Sequence, residues 1–414
     1  MKHFFTKKTV TAALFVTLLF VMAILNIQTV FPSLQKDVSD YQTSSTSEKP
    51  QTFSNLVTNL NNTASTEVFG KYGFIETYGY LQKLMDKKEV NNFEVVKAED
   101  GSLHYTYFTT GPNDVQTISE RMERLKKDAE SVGSHVMYVM TPDKYIEGVT
   151  KFEKGIPYNY ANETADLFLD EMRSHQIDTL DFREVMKENG TYTQDSFYRT
   201  DHHWKVQTAF NAFKSFADVV DEKYDFGFPN KAYYTDINNY NQIIYKNSYL
   251  GSMGRKEGIL YSGAEDFDFI YPKFDTNYFF YAQGSNQAIT ANGRFEQSVC
   301  FTSMLSGGDI YDAECDKYFT YMDGNPGFVE ITNFDHPDGK KVLFIKDSLM
   351  VPVASFFSLG CSKVYMIDPR YYGGNIQDVI DQYHFDDVFV SFSPQNLTTD
   401  FFTFYSDDGL QAAH

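Results

Sequence analysis

An aspartate, two histidines and a distant serine carry the most distinctive chemistry in this chain. The segment Asp201–Trp204, which reads Asp-His-His-Trp, stands at the start of a predicted helix, and Ser348 follows a short apolar strand. A serine hydroxyl becomes a useful nucleophile when an imidazole takes its proton and a carboxylate holds that imidazole in the correct tautomer. These residue types predict a catalytic triad of Asp201, one of the two histidines, and Ser348.

Each of these residues also has a plain structural explanation. Asp201 could cap the helix that follows, because Asp is among the best capping residues, and Ser348 could cap the next helix along the chain. The two histidines could be structural, or they could bind a metal together with Asp201. No His or carboxylate follows at the i+4 spacing of helical zinc motifs, so no metal is predicted.

The expected positions of these groups favour catalysis. An imidazole in the first turn of a helix lies near the positive end of the dipole, which favours its neutral form. Ser348 is predicted at a strand-to-helix junction, with Pro352 in the first helical turn, where proline is tolerated. Helix amide groups at such a junction could bind an oxyanion.

Short apolar strands alternate with amphipathic helices along most of the chain. The predicted helices cover 114–133, 163–177, the segment from 201 to about 220, 350–359 and 375–383. The predicted strands cover 134–140, 342–345, 363–368 and 387–392. Such alternation is typical of a largely parallel sheet covered on both faces, so the fold class is predicted as an α/β sandwich.

The amino-terminal segment predicts a membrane anchor. Three lysines within residues 1–8 precede an uncharged, mainly apolar run over 9–31, and a hydrocarbon core needs about 20 residues. A basic flank before a single apolar run predicts a cytoplasmic tail at 1–8 and an extracellular location for everything after the run. A cleaved signal peptide is the alternative, but the run ends at Pro32 without a small-residue cleavage site.

The remainder divides by composition. Residues 32–66 are dominated by Ser, Thr, Gln, Asn, Lys and Asp and predict a flexible extracellular stalk. The folded domain is expected over 67–414, which is long enough for one large or two ordinary domains. Within it, 225–333 is aromatic and rich in Gly and Asn. We interpret this stretch as an insertion of short antiparallel strands that shapes a binding surface over the sheet.

Charge and cysteine content exclude some functions. The net charge is −20, from 56 acidic and 36 basic residues, which argues against binding nucleic acid by bulk electrostatics. A neutral or locally recognised substrate fits better. The three cysteines lack zinc-ligand spacing, and an odd number cannot all pair within the chain. Cys300 and Cys315 could form a disulfide or remain free, and no cofactor is predicted.

Several motifs occur in a recognisable order. They are residues 197–204, Leu250-Gly251-Ser252, Tyr-Pro-Lys-Phe at 271–274, Ile-Lys-Asp-Ser at 345–348 and Ile-Asp-Pro-Arg-Tyr-Tyr at 367–372. This order resembles the DHHW protein family, which is similar to the SGNH-hydrolase-like proteins that O-acetylate alginate and other exopolysaccharides. The resemblance extends from about residue 73 onward and implies an SGNH-hydrolase-like three-layer sandwich. The segment that follows the predicted strand 134–140 and ends in Pro-x-Lys at 142–144 also resembles the family's strand that ends in Pro-x-Lys.

The resemblance implies specific roles. It makes Asp201 the orienting carboxylate, His203 the base and Ser348 the nucleophile, while His202 falls on a variable position. Lys346 is a departure, because the acetyltransferases have the Gly of Gly-Asp-Ser there. The further residues considered for binding the substrate or the oxyanion are Arg199, Trp204, Gly324, Asn325 and Asn333. Arg199 could equally form a surface ion pair.

Together these features predict a membrane-anchored extracellular O-acyltransferase, with acetyl as the expected group, that modifies a cell-surface or secreted polysaccharide. A membrane-bound partner protein would deliver the acyl group. A carbohydrate esterase with the same triad is one alternative. The other is a non-catalytic polysaccharide-binding or scaffold subunit of an export complex, which the departure at Lys346 keeps open.

Overall fold

A computed structural model describes residues 6–44, 52–90, 92–283, 288–306 and 308–405. The chain divides into two compact units, Met1–Leu81 and Gln82–His414. Residues 1–5 of the predicted cytoplasmic tail and 45–51 of the predicted stalk lie outside the described residues.

The first unit is helical. Its helices are α1 (Lys7–Ser44), α2 (Phe53–Thr66) and most of α3 (Lys71–Leu84). α1 is long and apolar enough to cross a membrane, with a window of mean hydropathy 2.5. The described residues of the predicted stalk, 32–66, are largely helical, because α1 continues through Pro32 and α2 follows. A polar composition disfavours a packed core but leaves helix formation open, and the Thr52 side chain caps α2 by accepting from the Asn55 amide.

The second unit alternates strands and helices. Its further helices are α4 (Gln116–Ser131), α5 (Ala161–Ser174), α6 (Phe182–Glu188), α7 (Val206–Tyr224), α8 (Lys231–Tyr234), α9 (Ser252–Glu257), α10 (Ile259–Ser262), α11 (Phe295–Ser298), α12 (Ser303–Ser306), α13 (Met350–Phe357) and α14 (Ile376–Tyr383). Its strands are β1 (Glu89–Val90), β2 (Val95–Lys97), β3 (Leu103–Tyr105), β4 (His135–Met140), β5 (Asp178–Asp181), β6 (Tyr240–Tyr249), β7 (Glu265–Pro272), β8 (Tyr278–Gln283), β9 (Ala288–Gly293), β10 (Phe328–Asn333), β11 (Lys340–Lys346), β12 (Cys361–Ile367) and β13 (Asp387–Ser391).

The main sheet is mixed. Its strand order is β5-β4-β13-β11-β12-β10-β8-β9. The first five strands in that order are parallel, whereas β10, β8 and β9 are joined by antiparallel pairing. Two smaller antiparallel sheets, β1-β2-β3 and β6-β7, lie apart from it in the pairing pattern. The carboxyl ends of β4, β11, β12 and β13 therefore meet at one edge.

Helices cover both faces of this sheet, as predicted. Alternate residues of β11 face opposite sides, so Val342 and Phe344 pack in one core with α7 and α13, whereas Leu343 and Ile345 pack in another with α4, α5 and α14. Apolar residues at helical spacing give α7 its buried stripe, which includes Ala209, Phe213 and Phe216. The α/β sandwich is confirmed.

The region predicted as an insertion, 225–333, supplies part of the main sheet. It contributes β8, β9 and β10 to the main sheet, whereas β6 and β7 form a separate ribbon. The alternation of buried residues along β8, such as Tyr278 and Phe280, matches a strand that packs on the core. Local patterns show that such strands exist but leave open which sheet they join.

Candidate active site

The structure brings together Ser348, His203 and Asp201. The Ser348 Oγ lies 2.6 Å from His203 Nε2, and His203 Nδ1 lies 2.7 Å from Asp201 Oδ1. Asp201 is fully buried, His203 is nearly so, and the Ser348 residue is 9% exposed. The serine and histidine are 145 positions apart in sequence, so their contact is a product of the tertiary fold.

Ser348 is placed by the central strand β11. It follows the last residue of that strand by two positions and precedes α13, which starts at Met350. Asp347 anchors this turn, because its carboxylate accepts bonds from the amides of Leu349 (3.1 Å) and Ser393 (2.7 Å) and from the side chain of Asn396 (2.8 Å). The turn is thereby tied to the end of the neighbouring strand β13.

Asp201 and His203 lie in a tight loop rather than in a helix. The Tyr198 amide donates to the His203 carbonyl at 3.0 Å, and Phe197 and Trp204 form an antiparallel bridge. α7 begins only at Val206. The expectation that this segment starts the helix is therefore wrong, and so are the helix cap for Asp201 and the dipole effect on His203.

The Asp201 carboxylate is surrounded by donors. Oδ1 accepts from the His203 backbone amide at 3.1 Å, while Oδ2 accepts from the Tyr249 hydroxyl at 3.0 Å and the Ser252 amide at 2.7 Å. Gly251 makes this approach possible, since a Cβ there would lie 2.3 Å from the Cβ of Asp201. Sequence reasoning quoted Leu250-Gly251-Ser252 as a motif but missed that it holds the carboxylate.

A buried lysine holds the loop that carries Asp201 and His203. The Lys144 ammonium, on the segment after β4, donates to the carbonyls of Tyr198 (2.7 Å), Arg199 (3.0 Å) and Asp201 (2.7 Å). Burial lowers the pKa of Lys144 to about 7. The Pro-x-Lys pattern at 142–144 marked this residue in the sequence, and its contacts give it the task of positioning Asp201.

The His203 ring is flanked by two other rings. Tyr318 stacks on it at 3.8 Å between centroids and 16° between planes, and His202 lies at 3.9 Å and 36°. Rings this close cannot share one face of the imidazole, so they occupy opposite faces. Nothing in the sequence pattern around Tyr318 indicated this contact.

The environment sets the charges of the pair. Burial lowers the pKa of His203 below its ordinary value, His202 lowers it further, and Asp201 opposes both effects. Burial alone would raise the pKa of Asp201, but the charges and hydrogen bonds of the two histidines bring it well below its ordinary value. The resting pair is therefore a carboxylate and a neutral imidazole, as a general base requires.

Two other residues proposed from sequence have structural contacts. Trp204 is fully buried, and its indole Nε1 donates to the Leu349 carbonyl at 3.0 Å. The Arg199 guanidinium donates to the carbonyls of Ser262, Gly263 and Ala264. Trp204 thus links the histidine loop to the serine turn, and Arg199 fixes a neighbouring main chain.

Asn333 requires a correction. It ends β10, which runs antiparallel to β12, so it lies at the opposite edge of the sheet from Ser348. Its side chain is buried and donates to the carbonyls of Ser358 and Leu359 at 3.0 and 3.4 Å. The strand direction, which the sequence did not reveal, removes Asn333 from the site.

Lys346, the departure from Gly-Asp-Ser, is fully buried at the end of β11. Its ammonium donates to Asn325 Oδ1 at 2.7 Å and lies 3.6 Å from Asp368, which pairs with Arg370. Burial lowers the pKa of Lys346 to about 8. The structure therefore gives this lysine partners and ties Asn325 to the serine-bearing strand.

Asp201, His202 and His203 offer ligand atoms within 4.8 Å of one another, close enough for a metal ion. However, both Nδ1 atoms face Asp201 Oδ1, at 2.7 and 3.0 Å, and His203 Nε2 faces Ser348. To bind a cation here, His203 would have to give up its bond to Asp201 or its bond to Ser348, so the arrangement favours proton transfer. Cys300 and Cys315 are free thiols, so the disulfide considered from sequence is not formed.

The sandwich architecture, with a serine after a central parallel strand and an Asp-x-His loop beside it, is similar to that of SGNH-hydrolase-like domains. Residues 95–242 match the family model described as the SGNH hydrolase-like domain of acetyltransferase AlgX. That span includes Asp201 and His203 and ends before Ser348. No curated protein is significantly similar to this chain in sequence.

Solved structures agree with this fold. Bacillus cereus PatB1, with and without a sulfonyl adduct, has TM-scores of 0.61 and 0.62 at 18% identity, covering 75% of this chain and 100% and 99% of PatB1. A DHHW family protein from Eubacterium siraeum has a TM-score of 0.52 at 17% identity, covering 73% of this chain and 94% of that protein. The resemblance predicted from sequence is confirmed.

Proposed function

We propose that this chain is a membrane-anchored extracellular O-acyltransferase that transfers an acetyl group to a polysaccharide hydroxyl. The observation that carries the proposal is the continuous hydrogen-bond chain from Ser348 Oγ through His203 to Asp201. The match of residues 95–242 to an acetyltransferase domain supports acyl transfer as the reaction.

In the first half-reaction, the Ser348 Oγ attacks the carbonyl carbon of the acyl donor while His203 Nε2 takes the hydroxyl proton. The tetrahedral oxyanion collapses, the bond to the leaving group breaks, and His203 returns the proton to that group. Asp201 stays ionised and stabilises the imidazolium that forms between these steps. The product is an acyl ester on Ser348.

In the second half-reaction, a sugar hydroxyl attacks the acyl-Ser348 ester. His203 takes the proton of that hydroxyl and delivers it to Ser348 Oγ as the serine leaves. Attack by water in place of the sugar would give hydrolysis. The acceptor that reaches the ester therefore decides between a transferase and an esterase.

The proposed location is supported by α1. An apolar helix of this length behind a basic flank supports a single anchor with the catalytic domain outside the cell. An acyl donor made in the cytoplasm must then cross the membrane, so a membrane-bound partner that presents the acyl group is part of the proposal. The net charge of −20 disfavours strongly anionic acceptors.

A direct test uses the full-length chain in detergent with 4-nitrophenyl acetate, with and without an added oligosaccharide. Acceptor-dependent acetyl transfer supports the proposal. Release of acetate to water alone would support a carbohydrate esterase, and absence of turnover would support a non-catalytic scaffold.

Variants locate the chemistry. Ser348→Ala and His203→Ala are each expected to abolish turnover. In the wild-type chain, mass spectrometry should find an acetyl group on Ser348, or a sulfonyl group after treatment with a sulfonyl fluoride. Ser362→Ala is the matched control, because that serine lies at the start of β12, where its hydroxyl donates to the Lys340 carbonyl, whereas Ser348 follows the carboxyl end of β11. Wild-type turnover in both triad variants would refute the assignment.

A further inference from the structure

A second imidazole is built against the triad. His202 Nδ1 lies 3.0 Å from Asp201 Oδ1, the same oxygen that accepts from His203 Nδ1 at 2.7 Å. It also lies 3.3 Å from the Ser252 hydroxyl. The His202 side chain is 37% exposed, whereas that of His203 is 7% exposed. His202 can therefore exchange protons with solvent while it touches both members of the buried pair.

The two imidazoles cannot easily carry charge together. Their centroids are 3.9 Å apart, and the proposed mechanism requires His203 to become an imidazolium when it takes the Ser348 proton. A proton already on His202 would place a like charge beside that forming cation. It would also strengthen the bond of His202 to Asp201 Oδ1 and weaken the hold of that oxygen on His203.

We propose that His202 is a positioning residue for His203: it packs on the face of the base opposite Tyr318, shares Asp201 with it, and must be uncharged for acyl transfer to proceed. The inference rests on the proposed function. It extends that function by adding a second imidazole to the groups that control the charge of the base.

Other groups also face His202. The Tyr105 ring from β3 lies 5.9 Å away, and Lys256 of α9 lies 5.0 Å from the centroid of that ring. Asp143, after β4, interacts with His202, and burial raises the pKa of Asp143 to about 6. Asp201 and His203 complete the set. His202 therefore faces the Asp201 carboxylate, the Asp143 carboxyl group and the His203 ring, with the Lys256 ammonium beside the Tyr105 ring.

The test compares kcat/KM of the full-length chain with 4-nitrophenyl acetate at pH 5.5 and 8.5. His202→Asn keeps an N–H near the Nδ1 position but has no ring to protonate. His202→Phe keeps a ring that cannot take up a proton. A proton on His202 should slow the wild-type chain at the lower pH, whereas neither variant can take up a proton at this position. The ratio of variant to wild-type rate should therefore be several-fold higher at pH 5.5 than at pH 8.5.

His135→Asn is the matched control. His135 starts β4 at the far edge of the sheet, where it stacks on Tyr224 and contacts Asp387. The ratio of the His135→Asn rate to the wild-type rate should be the same at both pH values. A ratio for His202→Asn and His202→Phe that does not change with pH would overturn the inference, while loss of activity in Ser348→Ala would leave the proposed function standing.

A measurement on the wild-type chain keeps the inference testable if the variants do not fold. In the chain labelled with 15N-histidine, the His203 Nδ1 proton bonded to Asp201 should give an NMR signal that moves as His202 titrates. A His202 titration that leaves this signal in place would also overturn the inference. If Ser348→Ala keeps full activity, the proposed function fails, and this signal still reports separately whether the two imidazoles are coupled.

Discussion

Replacing Asp201 with Asn tests the triad at its most buried member. The change is nearly isosteric, but it exchanges one acceptor oxygen for an NH2 group. If the NH2 takes the place of Oδ1, it meets the His203 amide and ring N–H groups; if it takes the place of Oδ2, it meets the Ser252 amide. Either orientation leaves a buried backbone N–H without an acceptor.

The size of the effect follows from these contacts. A buried N–H left without a partner costs about 1–3 kcal/mol of folding stability. In the first orientation, His203 must also change tautomer and present a protonated Nε2 to Ser348, which removes the base. Loss of the carboxylate in a triad costs about 10⁴-fold in kcat, or about 5 kcal/mol in the barrier.

Two measurements check this expectation. Turnover of 4-nitrophenyl acetate by Asp201→Asn at pH 8 should fall about 10⁴-fold, and circular dichroism on heating should show a folded but less stable protein. Asp268→Asn is the matched control, because its carboxylate accepts from the Tyr198 hydroxyl and the Gln207 amide without touching His203. A kcat for Asp201→Asn within tenfold of wild type would refute the role of this carboxylate.

Three further predictions concern the residues around the triad. Tyr318→Leu, which removes the ring stacked on His203, should lower kcat about tenfold more than Tyr318→Phe, and similar rates for the two would contradict a packing role. Trp204→Phe should lose about 2–4 kcal/mol of unfolding free energy in urea followed by circular dichroism, because it opens a cavity and leaves the Leu349 carbonyl without its donor. Burial lowers the pKa of Lys144 from 10.5 to about 7. Between these two pH values the unfolded chain still carries the Lys144 proton, whereas the folded chain has lost it. Wild-type stability should therefore rise with pH relative to Lys144→Met, by up to about 1.4 kcal/mol per unit, and parallel curves would exclude this assignment.

Much of the fold could be predicted because it depends on local periodicity. The apolar run at 342–345 became β11 (Lys340–Lys346), and the amphipathic stripe at 114–133 became α4 (Gln116–Ser131). The strands between 225 and 333 were expected to be antiparallel, yet their membership of the main sheet was missed. Side-chain alternation fixes which residues of a strand are buried, but pairing partners depend on contacts between distant segments.

The site divides in the same way. Asp201 and His203 are two residues apart, so a tight loop can bring the carboxylate and the imidazole together. The sequence by itself determined that pairing, and it also supplied a serine, Ser348, as the candidate nucleophile. Only the tertiary structure decided that Ser348 meets His203 and that Tyr249 and Ser252 hold the carboxylate. It also moved Asn333 to the far edge. The physical reason is range: side-chain chemistry and hydrogen bonds within a loop act over a few residues, whereas packing of the sheet and its helices brings together groups that are far apart in the chain.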